Sequence, residues 1–327
     1  MNAILRRLRI DTYILAIMGM VAIAAILPAR GAGKDVLDIV VHAAIALLFF
    51  LYGARISRQA IWAGILHWRL QALVFATTFV LFPLLGIGIA TLAAGHLDPG
   101  LVTGLMFVAL LPSTVQSSIA FTSIARGNVP AALCSASLSN LAGVVITPLL
   151  ATMVLSAGGG GMSLDAVGEI ALQILLPFVI GQFARPLIGE WLERRRMLTM
   201  AVDRGSILLV VYSAFSAGVV AGIWGRVTPQ SLALVIVLDL VLLAIVLAAT
   251  TAASRLLRFT TEDEVAIVFC GSKKSMASGL PMANIIFPAS AVGLIVLPLM
   301  LFHQMQLMVC AALARRYAQR AKDPARQ

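Results

Sequence analysis

Ten stretches of roughly 20 mostly apolar residues, each long enough to cross a hydrocarbon core of about 30 Å, follow one another along this chain. Their approximate limits are 12–29, 36–54, 70–94, 100–125, 129–156, 166–188, 205–224, 230–253, 264–287 and 289–313. Lipid offers no hydrogen bonds, so a backbone that crosses it in such runs must be helical. The expected fold is therefore an all-α polytopic membrane protein. With 61% hydrophobic and 12% charged residues, the composition lies outside the range of a soluble domain. The basic start MNAILRRLRI has the flavour of a signal peptide, but the run behind it is long for one and a whole bundle follows, so it reads as span one.

Ten spans with the N-terminus inside place nineteen of the 24 Lys and Arg residues on one side and only Arg30, Lys34 and Arg226 on the other. That bias predicts cytoplasmic N- and C-termini in a plasma membrane, here a bacterial inner membrane. The net charge of +10 then answers anionic lipid headgroups and calls for no nucleic acid. Cys134, Cys270 and Cys310 sit in apolar runs without CxxC or His-rich spacing, which points to neither disulfides nor a metal site nor a bound cofactor.

The longest connections, GHLDPG, GGGGMS and ERRRMLTMAVDR, are too short for a separate domain. An odd number of spans per half inverts the second copy, so residues 1–156 and 157–327 read as two five-span repeats of opposite orientation. Polar interruptions fall in matching spans, LLPSTVQSS in span four and CGSKKSMASGLP in span nine. The separation of Ser117 from Lys273 nearly equals that of Pro28 from Pro186. Pro112, Gly271, Gly279 and Pro281 are expected to break these helices, freeing backbone groups that must face protein, water or ligand. Ser113, Thr114, Gln116, Ser117 and Ser118 in one interruption, and Ser272, Ser275 and Ser278 in the other, supply oxygens of the kind that coordinate ions or bind carboxylates. The plainer reading is that these Ser and Gly residues allow close packing and hydrogen bonds between helices.

Lys273 and Lys274 are the least expected residues in the chain. Lys273 lies nine residues after Glu264, about 14 Å along a helix and near mid-depth. One such charge costs about 2.5–3.5 kcal/mol to insert, and the pair about 5–7. Asp239, in LVIVLDLVLLAI, is the carboxylate inside another span and could neutralise a lysine or relay a proton. His303, with Gln304 and Gln306 in LFHQMQLM, is either a packed, hydrogen-bonded histidine or a proton carrier.

STVQSSIAFTSIARGNVPAALCSASLSNLAGVVITP together with CGSKKSMASGLPMANIIFP resembles the bile acid:sodium symporter family, within it the bacterial branch akin to the orphan mammalian member. The resemblance covers nearly the whole chain. It implies ten transmembrane helices in two inverted repeats, with a panel domain of spans 1, 2, 6 and 7, a core domain of spans 3–5 and 8–10, and spans four and nine crossing at their breaks. It further implies substrate between panel and core, and ion or substrate ligands at Gln116, Ser117 and Ser118, at Ser135, Ser139 and Asn140 of span five, and at Ser272, Lys273, Lys274 and Ser275. Ser135 and Ser139 share one helical face. Span nine departs from the family pattern. Phe269 stands where sodium-coupled members carry an acid, and Lys273 and Lys274 replace Gln and Asn. A lysine ammonium can take the space and charge of a sodium ion, staying charged in a sodium-independent carrier or giving up its proton in a proton-coupled one.

HExxH, GxSxG and paired intramembrane carboxylates are absent, which argues against an enzyme. Two matched breaks suit alternating access better than a continuous pore. The expected function is secondary active transport of a small organic anion, with Na+ or H+ as coupling ion left open, membrane lipid as the surrounding partner, and monomer or homodimer undetermined. A non-transporting regulatory or receptor protein is the remaining alternative.

Overall fold

The computed structural model describes residues 12–55, 67–156 and 164–320. Arg6, Arg7, Arg9, Arg58, Lys322, Arg326 and the GGGGMS connection, which entered the topology argument, lie outside the described residues. Among the described residues the regular elements are all helical: α1 (Thr12–Ile26), α2 (Ala32–Arg55), α3 (Trp68–Ala93), α4 (Pro99–Leu110), α5 (Gln116–Ile124), α6 (Val129–Ser156), α7 (Leu164–Arg194), α8 (Arg196–Val220), α9 (Pro229–Leu256), α10 (Thr261–Gly271), α11 (Met276–Ile286) and α12 (Ala289–Arg320). Seven of them, α2, α3, α6, α7, α8, α9 and α12, are long and apolar enough to cross a membrane.

That number differs from the ten expected crossings for a local reason at three of them. Spans four and nine are each divided into two short helices, α4 with α5 and α10 with α11, and α1 shows 15 helical residues among those described. The divisions fall at Pro112 and just after Gly271. Gly279 and Pro281, expected as further breaks, do not interrupt the chain: both lie inside α11. A proline six residues into a helix removes one internal hydrogen bond without ending it. Gly279 serves space instead, because a Cβ there would run into the side chains of Leu111 and Leu299.

Short polar caps set the helix starts. The Asp98 carboxylate accepts from Gly100 N at 2.8 Å ahead of Pro99, and the Thr228 hydroxyl accepts from Ser231 N at 3.1 Å ahead of Pro229. Each satisfies an amide that the first turn leaves open, and proline at the first helical position costs nothing because its missing N–H would have had no partner there.

The chain divides into two compact units. The first comprises the residues up to Arg55, Gln173–Arg226 and Leu280–Leu294. Within it α8 packs on α1 and α2. Gly53 of α2 lies against the Phe178 carbonyl of α7, and Gly181 of α7 lies against the Phe50 carbonyl of α2. Neither position has room for a Cβ, so two backbones touch directly, as small residues allow in membrane helices. Arg55 Nη1 donates to Asp203 Oδ2 at 2.8 Å and ties the end of α2 to α8.

The second unit comprises Ile56–Leu172, Val227–Gly279 and Ile295–Gln327. Here α10 packs against α3, α5, α6 and α9, and α4 packs against α3 and α6. Part of α3 winds as a π turn, Thr77–Leu81. Its cause is visible in the sequence: Phe82 N bonds back five residues to Thr77 O, and Pro83 behind it has no N–H to give. The Thr78 carbonyl thereby loses both amides that could have reached it along the helix. All the candidate ligands named from the sequence lie in this second unit.

Candidate functional site

The two helix breaks satisfy each other. Where α4 ends, the carbonyls of Val108 to Ser113 would have no helical partner. Leu111 N donates to Val108 O, Thr147 Oγ1 of α6 to Leu110 O at 2.9 Å, Ser275 N to Pro112 O at 2.8 Å, and Asn140 Nδ2 to Ser113 O at 2.6 Å. Gly143 of α6 leaves space for the Pro112 ring. Where α10 ends, Ser113 Oγ donates to Cys270 O at 2.6 Å and Ser118 Oγ to Phe269 O at 3.0 Å. Serines at one break therefore serve the carbonyls of the other, 157 and 151 residues away in the chain.

The two carbonyls of the α4 end not yet accounted for, Ala109 O and Leu111 O, belong to Lys274. Its Nζ donates to them at 2.9 and 2.7 Å, and to Thr78 O of the π turn at 2.9 Å. Three carbonyl acceptors around one nitrogen match in number the three N–H groups that an ammonium offers. The same nitrogen stands 4.0 Å from the centroid of the Phe82 ring. A cation at the C-terminus of a half-helix meets the negative end of its dipole. Three hydrogen bonds from a charged donor are worth about 1.5–3 kcal/mol each, against an insertion cost of about 2.5–3.5 kcal/mol. Lys274 is thus compensated by backbone alone.

The peptide of Lys274 is fixed as well. Gln306 of α12 accepts from Lys274 N through Oε1 and donates to Lys274 O through Nε2, both at 2.9 Å. The second Nε2 hydrogen goes to His303 Nδ1 at 2.8 Å, which places the histidine's own proton on Nε2. His303 is therefore a member of a hydrogen-bonded scaffold around the lysine backbone. Lys273, also fully buried, is held differently: its Nζ donates to Ser117 O at 2.8 Å and faces the rings of Phe121 at 4.2 Å and Phe269 at 5.2 Å. The position expected to carry an acid thus presents an aromatic face to a cation.

The remaining candidates separate. Ser139 Oγ accepts from Ser113 N at 3.0 Å and belongs to the span-four break, whereas Ser135, one turn earlier, donates to Gln71 Oε1 of α3 at 2.8 Å. Asn140 spans both breaks, since its Oδ1 also accepts from Ser278 Oγ at 2.8 Å. Ser117 and Thr114 share a hydrogen bond at 2.6 Å, Ser272 bonds back to Val268 O, and Ser275 accepts from Ser278 N. Gln116 is exposed and stands apart from the network. Asp239 is not joined to either lysine: it is fully buried on α9, and neither carboxylate oxygen has a hydrogen-bond partner among the described residues. Among the described residues no group of three or more His, Cys, Asp and Glu side chains gathers as a metal site, and the three cysteines are buried and free.

Thr78, Ala109 and Leu111 escape sequence reasoning because they act through carbonyls, which every residue has. Pro83 is the signal that could have exposed Thr78. Gln71 and Gln306 are visible as polar residues in apolar runs, but nothing in the sequence pairs them with positions 64 and 32 residues away.

Comparison with known proteins gives the family of the chain. The family described as the SBF-like CPA transporter family matches residues 11–319. Uncharacterized protein PA2026 of Pseudomonas aeruginosa is 55% identical over 316 residues, covering 96% of this chain and 95% of the relative. The protein named "Putative symporter YfeH" of Escherichia coli is 51% identical over 314 residues, covering 96% and 95%. Sodium/bile acid cotransporter 7 of Xenopus tropicalis is 27% identical over 316 residues, covering 95% and 92%. A helical bundle with two interlocked breaks and relatives of this kind is a multi-pass membrane carrier and not an enzyme, and the chain belongs to the SBF-like CPA transporter family.

Proposed function

We propose that this carrier is a secondary active transporter of a small organic anion, working by alternating access in a bacterial inner membrane with both termini cytoplasmic, and that the Lys274 ammonium holds the place of a coupling sodium ion. The observation that carries this reading is the cage of three carbonyls around Lys274 Nζ. A cation delivered by the chain itself neutralises the half-helix end in every cycle, so no dissolved ion is needed there. The anionic substrate class draws on the relatives named sodium/bile acid cotransporter, and on the second buried ammonium, Lys273. The two five-span repeats and the panel and core division belong to this reading.

Proteoliposome uptake tests it. A panel of bile acids, mono- and dicarboxylates and sulfonates is offered with sodium or with potassium as the only cation. Uptake of at least one anion at equal rates in both salts is the expected result. Uptake that requires sodium would overturn the role given to Lys274, and no uptake or counterflow of any anion by folded protein would overturn the transport reading in favour of a regulatory one.

A further inference from the structure

Asp239 has no use in the site described above, and it is costly where it stands. It lies ten residues after Pro229 in α9, about 15 Å along the helix, which is roughly half of a hydrocarbon core of about 30 Å. It shares the buried face of that helix with Val235, Leu242, Leu243 and Val246, apolar residues any of which would fill the position without penalty. Its exposure is 0%, and both carboxylate oxygens lack a partner among the described residues. An unpaired carboxylate taken out of water is far less stable than the neutral acid, so a setting of this kind favours the protonated form.

The surroundings point the same way. Among the described residues the elements packed most extensively against α9 are the π turn and later part of α3, α4 and α10, and α12 meets it toward the Arg255 end, where Arg316 is its charged side chain. From Thr77 to Ala93, α3 has no ionisable side chain, and α4 has none. On α10 the acids are Glu262, Asp263 and Glu264 in the first turn; Glu264 is paired with Arg255, sixteen residues and about 24 Å along α9 from Asp239. Cys270 is at the other end of α10, against the Ala132 carbonyl of α6. Arg69, at the start of α3, donates to Leu257 O beyond the far end of α9. The cation held by the helices on which α9 packs is Lys274, bound to α3 and to the end of α4.

We propose that Asp239 is the proton-binding site of the carrier, holding the coupling proton when sealed as it is here and exchanging it in a conformation that opens the carboxylate to water. This rests on the carrier reading above. A coupling ion works only by binding two conformations unequally, and a carboxyl group that alternates between a dry, partnerless setting and a solvated one meets that condition with a proton alone. No further atoms are exchanged: the carboxylate gains a proton on one side and loses it on the other.

Infrared difference spectroscopy on the purified full-length protein in lipid, stepped from about pH 9 to about pH 5, reads the site without a substrate. The expected result is a carbonyl band of a protonated acid in apolar surroundings that titrates in the wild type, disappears in Asp239→Asn, and is displaced but retained in Asp239→Glu. Absence of a titrating band in the wild type, or the same band in Asp239→Asn, would overturn the assignment. Proteoliposomes with an imposed pH gradient and the anion panel provide the second readout. Uptake driven several-fold by the gradient in the wild type and Asp239→Glu, but indifferent to it in Asp239→Asn, supports coupling. Anion uptake indifferent to the gradient in the wild type would overturn the proton site while leaving the carrier intact; a titrating band without any anion uptake would overturn the carrier reading and coupling with it.

Discussion

Lys274→Met is the sharpest test of the carbonyl cage, because methionine keeps an unbranched, flexible side chain and removes only the ammonium. Thr78 O, Ala109 O and Leu111 O then lose their donor. A buried acceptor left unsatisfied costs about 1–3 kcal/mol, or about 3–9 kcal/mol for three. Relief from inserting a charge returns about 2.5–3.5 kcal/mol. The central expectation is a net loss near 3 kcal/mol, which at about 2 °C per kcal/mol for a chain of this size lowers the unfolding temperature by roughly 6 °C. The four tryptophans make intrinsic fluorescence in detergent a suitable monitor. Sodium supplies a second arm. An ion entering the emptied cage at a hundred times its dissociation constant restores about 2.7 kcal/mol, so sodium is expected to raise the melting temperature of Lys274→Met or Lys274→Gln relative to potassium and to leave the wild type unchanged. A variant that melts within a degree of the wild type, or a wild type stabilised by sodium as much as the variants, would refute the reasoning.

Three further outcomes follow from the geometry. Gln306→Ala strips both partners from the Lys274 peptide and is expected to cost about 2–6 kcal/mol, with Gln306→Glu intermediate because it keeps an acceptor for Lys274 N; thermal unfolding of the two variants checks the order. Gly181→Ala forces a Cβ into the Phe50 carbonyl and should lower stability by about 1–3 kcal/mol or more, whereas Gly19→Ala, with open space around it, should change it by less than about 0.5 kcal/mol. At the opposite end of α10, Tyr317 donates to the buried Glu264 at 2.7 Å, while its ion-pair partner Arg255 is 58% exposed. Tyr317→Phe is therefore expected to cost about 1.5–3 kcal/mol and Arg255→Ala less than about 1 kcal/mol, and the reverse order would count against the assignment.

The helices were legible because lipid permits little else: the apolar runs mark most of them to within a few residues, although α7 and α12 continue past their runs to Arg194 and Arg320 and α8 begins well before its own, at Arg196, and Pro112 and Gly271 mark where two of them stop. The lysine pair was legible as an anomaly. Its solution was legible only in part: a lysine in the place of a bound cation could be read from the departure in span nine, with Asp239 as the alternative countercharge, but the atoms that receive the side chain could not. The protein uses carbonyls instead, released by a π turn ahead of Pro83 and by the end of α4. Backbone groups carry no residue-type signature, so this kind of partner stays invisible until the chain is folded. Ser135 shows a second limit: periodicity placed it on one face with Ser139, yet Gln71 draws it into a different hydrogen bond. Gly279 and Pro281 show a third, since a helix in a packed bundle tolerates residues that would end an isolated one.

Neither interrupted span can straighten by itself. Ser113 and Ser118 on one, and Ser275 with the two lysines on the other, hold each interruption open by filling its gaps with groups from its opposite number. Turning one half-helix would strip several bonds at once from groups that are buried in the protein. The crossing is therefore built as a rivet and not as a hinge: the ends of α4 and α10, the start of α5 and the first turn of α11 are bonded so that none can be turned without the others.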